Sequence, residues 1–235
     1  MDAKADPLLD VKLALWVFLA LAPIDLAMVG LDALHLQALA GHAPAWLRND
    51  LFGMHLELGV AEGFEYLKSA VTALAVGLLA RRQRAPLLWV LCALNTWMLI
   101  DNAFAMHERI GQRLARDVLG GLTLGLNRSR DLGELIAFGA AGGGFLFLIA
   151  LTWRTAAPLA RRTGLLLMAA VAGAAVFGIG VDALHATPLG DHFETVMSDV
   201  EDGGESLMLS LGCALALGCL AVRPARAGTA GAVPA

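Results

Sequence analysis

The chain has 235 residues, 58% of them hydrophobic and only 16% charged, with a mean hydropathy of +0.68. A soluble domain carries about 25% charged residues, so this composition, with its long apolar runs, excludes an ordinary water-soluble domain and places the chain in a bilayer. The net charge of −4 and the lack of any basic run give nucleic acid no footing as a partner.

Six spans follow in order, at roughly residues 13–35, 61–80, 85–106, 132–152, 164–185 and 203–222. They predict an all-α polytopic membrane bundle, one domain over residues 1–222, with a Pro/Ala/Gly-rich disordered tail at 223–235. The first span has a rival reading as a signal peptide, with Ala38-Leu39-Ala40 as the cleavage signal. Its leading segment holds Asp2, Asp6 and Asp10 beside only Lys4 and Lys12, and its far end carries an acidic signature that recurs later. It is therefore read as a retained helix. Cys92, Cys213 and Cys219 all fall in apolar segments without metal-ligand spacing, and read as small core residues.

Basic residues set the orientation. With the N-terminus inside, the cytoplasmic segments hold Lys4, Lys12, Arg81, Arg82, Arg84, Arg154, Arg161, Arg162, Arg223 and Arg226, ten in all, against six on the other side (Arg48, Arg109, Arg113, Arg116, Arg128 and Arg130). Both termini are expected inside, with Trp16, Trp89 and Trp153 in an inner aromatic belt and Trp46 outside. The outer loops, around 36–60 and 107–130, are long. In the second, Arg109, Arg113 and Arg116 recur at helical spacing opposite Ile110, Leu114 and Val118. That pattern predicts a helix lying in the outer interface, reading as a headgroup anchor before a ligand site.

Two short signatures recur along the chain. The first is Asp32-Ala33-Leu34-His35, Asp101-Asn102-Ala103-Phe104 and Asp182-Ala183-Leu184-His185. The second is Glu62-Gly63-Phe64-Glu65, Asp131-Leu132-Gly133-Glu134 and Asp202-Gly203-Gly204-Glu205. Asp32 to Asp101, Glu62 to Asp131 and Glu65 to Glu134 are each separated by 69 residues. The third unit keeps the order but spans 23 residues from Asp182 to Glu205, where the first spans 33. This predicts three repeated hairpins over approximately 13–80, 85–152 and 164–222.

Alternating spans put every signature at one leaflet, with all six histidines (35, 42, 55, 107, 185 and 192) on that side or at its edge. Helix two has only twelve uncharged residues after Lys68, where about twenty are needed to cross. Glu62, Glu65 and Lys68 must then lie in the membrane or within a turn of its edge, where ionisable side chains turn inward. The structural alternative is a polar network. Glu62, Asp131 and Asp202 would cap helix N-termini, worth about 0.3–1 kcal/mol each. Asp32, Asp101 and Asp182 sit at unfavourable C-terminal ends and would take His35, His185, Lys68, the outer arginines or a proton as partners. Asp25, mid-helix beside Pro23, is the deepest charge. It reads equally as a proton-sensitive group or as one bonded to backbone that the proline frees.

The sharper reading is a divalent metal site. Its candidate ligands are Asp32, His35, Glu62, Glu65, Asp101, His107, Asp131, Glu134, Asp182, His185, Asp202 and Glu205. Carboxylates with imidazoles form a first-row divalent set, so zinc or another transition ion is expected over calcium. Gly63, Gly133, Gly203 and Gly204 beside the acids would let helices approach closely. A nucleophilic triad lacks an elbow motif around Ser69, Ser198, Ser206 or Ser210. Haem ligation by His35, His107 or His185 has no supporting motif.

The string Ile100-Asp101-Asn102-Ala103-Phe104-Ala105-Met106-His107-Glu108, with Glu201-Asp202-Gly203-Gly204-Glu205 later, resembles uncharacterised bacterial multipass membrane proteins. These carry an Asp-x(5)-His-Glu stretch and an acidic Glu-x-x-Glu helix start. The resemblance implies a bacterial inner (plasma) membrane and brings no established activity. Alkaline-ceramidase-type membrane hydrolases also gather His, Asp and a metal in a helical bundle, but their Ser and paired His motifs are not recognisable here, so the likeness is an analogy.

Helix four from Leu135 to Leu151 and helix five from Leu165 to Val181 carry no ionisable group. Below the acidic layer only Asp25, Lys68, Asn95, Thr96, Ser69, Thr72 and Ser210 are polar. The expectation is an outward cup closed beneath, binding a small cation or a lipid-like ligand. A glycine-rich break at Ala141-Gly142-Gly143-Gly144 would weaken that closure. A membrane-embedded metal hydrolase and a cation- or proton-coupled transporter are the two alternatives.

Overall fold

The computed structural model describes residues 8–54, 59–187 and 194–222. His55, His192 and the tail expected over 223–235 lie outside the described residues. In lipid a backbone must satisfy its own polar groups, so apolar runs of this length become helices. Among the described residues all regular structure is helical, and six helices are long and apolar enough to cross a membrane.

Helix α1 (Val11–Leu39) starts where the Asp10 side chain accepts the Leu13 N–H at 3.0 Å. Two short 3₁₀ turns, Ala45–Arg48 and Asp50–Phe52, follow. Helix α2 (Val60–Gln83) stops at Arg84, in the left-handed region at φ 49°. Pro86 then opens α3 (Pro86–Phe104) at a position where its missing N–H is harmless. Ala105, again left-handed at φ 45°, turns the chain into α4 (Met106–Leu114), continued by a π-helical turn, Ala115–Leu119. Helix α5 (Ser129–Trp153) runs without a break through the glycine-rich stretch at 141–144. Helix α6 (Pro158–Ala175) gives way to a π-helical turn, Val176–Val181, and the short α7 (Asp182–His185). Helix α8 (Glu194–Ala221) closes the bundle.

The expected spans therefore stand within a few residues, except that the fifth begins six residues before Gly164 and the last nine residues before Gly203. Hydropathy ends a span at the first charges. The helix itself continues, so Glu201, Asp202 and Glu205 lie on its second to fourth turns.

Helix α8 is the hub, packed against α1, α2 and α6, while α2 and α3 form the most extensive pair. The successive spans α3/α5 and α6/α8 touch, whereas α1 lies along α8. It is held there at its start and again beyond its middle. The Asp10 N–H donates to the Gly218 carbonyl at 3.0 Å, and a Cβ on Gly203 would come within 2.8 Å of the Val29 side chain. At one end of the bundle Val76, Leu79, Leu87, Leu88, Leu91, Leu167 and Ala216 form a dry core. The acidic signatures occupy the other end.

A buried ion pair beneath an acidic cup

One cavity of about 750 Å³ opens among the C-terminal ends of α3 and α7, helix α4, and the first turns of α2, α5 and α8. Of the residues lining it, nine bear carboxylates (Glu62, Glu65, Glu108, Asp131, Glu134, Asp182, Glu201, Asp202 and Glu205). Two guanidinium groups, Arg128 and Arg130, and two imidazoles, His107 and His185, line it too. Nine of the twelve expected ligands thus face one space: Glu62, Glu65, His107, Asp131, Glu134, Asp182, His185, Asp202 and Glu205.

Asp32, His35 and Asp101 do not line it. Asp32 accepts the Met54 backbone N–H at 2.8 Å, and His35 Nδ1 lies 2.7 Å from the Leu47 carbonyl oxygen. Both side chains are buried and hold the loop after α1, whose backbone groups need partners. The expected pairing of Asp32 with His35 across one helical turn yields to that demand. Asp101 is buried directly behind His107. Its Oδ1 accepts the His107 backbone N–H and its Oδ2 lies against His107 Nδ1, each at 2.9 Å. A carboxylate only accepts, so Nδ1 carries a proton and Nε2 is left as the ring's other functional atom. The ring stacks on Phe138, centroids 4.5 Å apart. Burial lowers the pKa of His107, but the hydrogen bond and charge of Asp101, with the charges of Glu134 and Glu108, raise it overall above the ordinary 6.5.

The cup wall is built by close approaches. A Cβ on Gly133 would fall 2.9 Å from Gly111 Cα, so only this glycine pair lets α4 lie directly on the start of α5. Arg130 then joins the two helices, with its Nε 2.5 Å from Glu134 and its NH2 group bonded to Glu108. Asp131 accepts the Arg128 N–H at 3.1 Å and does act as a cap, as the structural reading had it. A Cβ on Gly178, in the π turn, would fall 3.0 Å from the Glu205 carboxyl carbon. Gly204 packs against Phe177, whereas Gly63 faces open space, contrary to expectation. His185 Nδ1 lies 3.5 Å from Glu201, not against Asp182.

Sequence reading passed over Glu108, Glu201 and Arg130 as cup residues. The signal for Glu108 was its place beside His107, that for Glu201 its place in the acidic run. Arg130 carried an i,i+4 relation to Glu134.

Beneath the cup Lys68, one turn below Glu65, is 2% exposed, and Asp25 is fully buried. Lys68 Nζ donates to Asp25 Oδ1 at 2.8 Å, to the Ser206 carbonyl at 2.8 Å and to Ser206 Oγ at 2.7 Å. Ser206 and Ser210 donate to the two Asp25 oxygens at 3.1 and 2.5 Å. Lys68 Nζ also sits 4.9 Å from the Phe64 ring centroid. Asp25 is thus satisfied by side chains of α2 and α8, and not by backbone freed at Pro23. Further from the cup, Thr72 and Asn95 bond to carbonyls of their own helices and border a separate cavity of about 20 Å³. That is room for a single water.

Among the described residues, no three His, Cys, Asp or Glu side chains already converge on one metal-sized point. The donor set fits a divalent ion in kind, and His107 is held as metal-bound histidines are, through its second nitrogen on a carboxylate.

Fold and site define an integral membrane protein of six helical spans with an acidic cavity at one end of the bundle. The chain belongs to the family described as "Domain of unknown function (DUF8692)", whose model matches residues 8–222. No curated protein and no solved structure matches it.

Proposed function

We propose that the cup binds a divalent cation on the extracytoplasmic face, both termini lying in the cytoplasm of a bacterial cell. The observation that carries the reading is the charge imbalance of one cavity, nine carboxylates against two guanidinium groups. Like charges in a partly dry space repel, and a bound cation or shared protons relieve that repulsion. The imidazoles of His107 and His185 favour a first-row ion such as zinc over calcium. Asp101 serves as the positioning group behind His107, and Glu205 and Asp182 are the carboxylates assigned to the ion. A cavity of about 750 Å³ holds far more than one ion, so much of the lining acts through water. The orientation rests on the ten-to-six excess of Lys and Arg in the inner loops and termini over the outer loops.

Protein purified without chelator should carry stoichiometric metal and melt at a higher temperature when Zn²⁺ or Mn²⁺ is added. The double variant Asp182→Asn/Glu205→Gln should insert normally and lose both properties. Metal-free protein whose melting temperature ignores Zn²⁺, Mn²⁺ and Ca²⁺ would overturn the reading in favour of a proton-sharing network. Labelling of single cysteines in intact cells, expected at position 42 and not at 83, tests the orientation.

A further inference from the structure

The cup accounts for only one side of α4. His107 and Glu108 face the cavity, and Gly111 is pressed against α5. At about 100° per residue, Arg109 and Arg113 fall on the opposite side of the helix. Both are exposed, as is Arg116 in the π turn that follows. Among the described residues only Arg116 of the three has an acidic neighbour, Asp117 at 3.5 Å, and both members of that pair are largely in the open.

The chain just before and after this stripe carries uncovered apolar side chains. Phe104, at the last turn of α3, is 57% exposed, and beyond α4 Val118 and Leu124 are exposed by 70% and 73%. Phe104 ends a membrane-spanning helix, so α4 begins where hydrocarbon gives way to headgroups. The glycine contact with α5 keeps the arginine face turned away from the bundle. Guanidinium groups at headgroup level, beside bare apolar side chains, match a phosphate above acyl chains in both charge and depth.

We propose that the outer face of α4 is a binding site for anionic phospholipid, with Arg109, Arg113 and Arg116 holding the headgroup phosphates and Phe104, Val118 and Leu124 lying against the acyl chains. The site is separate from the cation cup and shares only the helix with it.

The test uses the full chain in nanodiscs of equal phosphatidylglycerol and phosphatidylcholine, with native mass spectrometry of the lipids that stay bound on release into mild detergent. Each basic residue near an anionic surface is worth roughly a fivefold preference, so three acting together set a ceiling of about a hundredfold; an enrichment of phosphatidylglycerol of at least about tenfold is expected at low salt, falling as salt rises. The variant Arg109→Gln/Arg113→Gln/Arg116→Gln should return to the bulk lipid ratio. The same three positions changed to Lys should keep most of the enrichment. Equal melting temperatures in pure phosphatidylcholine would show that the glutamine variant is folded. Wild-type protein without enrichment, or a glutamine variant that keeps it, overturns the proposal.

Discussion

The cup and the Asp25–Lys68 pair stand about one helical turn apart on α2 and α8, and they resolve buried charge in opposite ways. At the pair, one cation meets one anion, and every donor and acceptor is taken up by Ser206, Ser210 or the α8 backbone. In the cup, nine carboxylates share two guanidinium groups and two imidazoles around open space. A balanced, saturated cluster at the meeting of α1, α2 and α8 serves assembly. An unbalanced one with a cavity of its own is left with a charge to place.

Breaking the pair should give the largest effect. Lys68→Met leaves Asp25 buried with two serine donors and no cation. Such a loss costs about 3–5 kcal/mol, and most of the protein should fail to elute as a monodisperse species from detergent. Asp25→Asn together with Lys68→Met should recover much of the yield, because neither charge is then stranded. A Lys68→Met protein as stable as wild type would show that the pair does not hold the helices.

The glycine contact that builds the cup wall comes next. Gly133→Val forces α4 off α5 and should cost about 1–3 kcal/mol by overpacking. It should also move His107, so metal-dependent stabilisation should fall further than the melting temperature does. Loss of stability with an intact metal response would separate the wall from the site.

The cup carboxylates sharpen the contrast, because here the sign depends on the medium. With chelator present, Asp182→Asn/Glu205→Gln removes repulsion and should raise the melting temperature slightly, about 2–4 °C for each kcal/mol relieved. With Zn²⁺ present, the order of wild type and variant should reverse. At the Asp25–Lys68 pair no added ion should change the ranking. If the cup variant is destabilised in chelator as well, its acids are assembly contacts like Asp25.

Much of this was legible in the sequence. Apolar length gives the spans, and alternation puts Glu62, Glu65, Asp131, Glu134, Asp182, Asp202 and Glu205 at one end of the bundle. What was hidden was the choice of partner. Asp25 and Lys68 are 43 residues apart and meet only because α1 lies along α8, a packing decision no local pattern records. Helical spacing offered His35 to Asp32, but buried loop carbonyls and N–H groups claimed both. The Asp-x(5)-His spacing was visible, yet its meaning depended on the left-handed Ala105. That residue folds His107 back onto Asp101, so Asp101 orients the imidazole and does not itself face the cavity.

The smallest effect is the one that tests this hand-off. His107 has a raised pKa, chiefly because the hydrogen bond and charge of Asp101 outweigh burial. A group whose folded pKa lies above its unfolded one stabilises the fold fully below the unfolded value, 6.5 here. That contribution is lost as pH rises through the folded value. In chelator, the melting-temperature gap between wild type and His107→Asn should therefore be widest near pH ~5.5 and close toward pH ~8.5. A hydrogen bond to a charged group is worth about 1.5–3 kcal/mol, and only the part that depends on the His107 proton shows in this gap. Metal binding runs the other way over the same window. An ion needs the neutral ring, so stabilisation by Zn²⁺ should grow as the proton leaves, and Asp101→Asn should weaken it while leaving His107 in place. A gap that does not vary with pH would mean that His107 and Asp101 meet without sharing charge, and His107 would lose its claim to the ion.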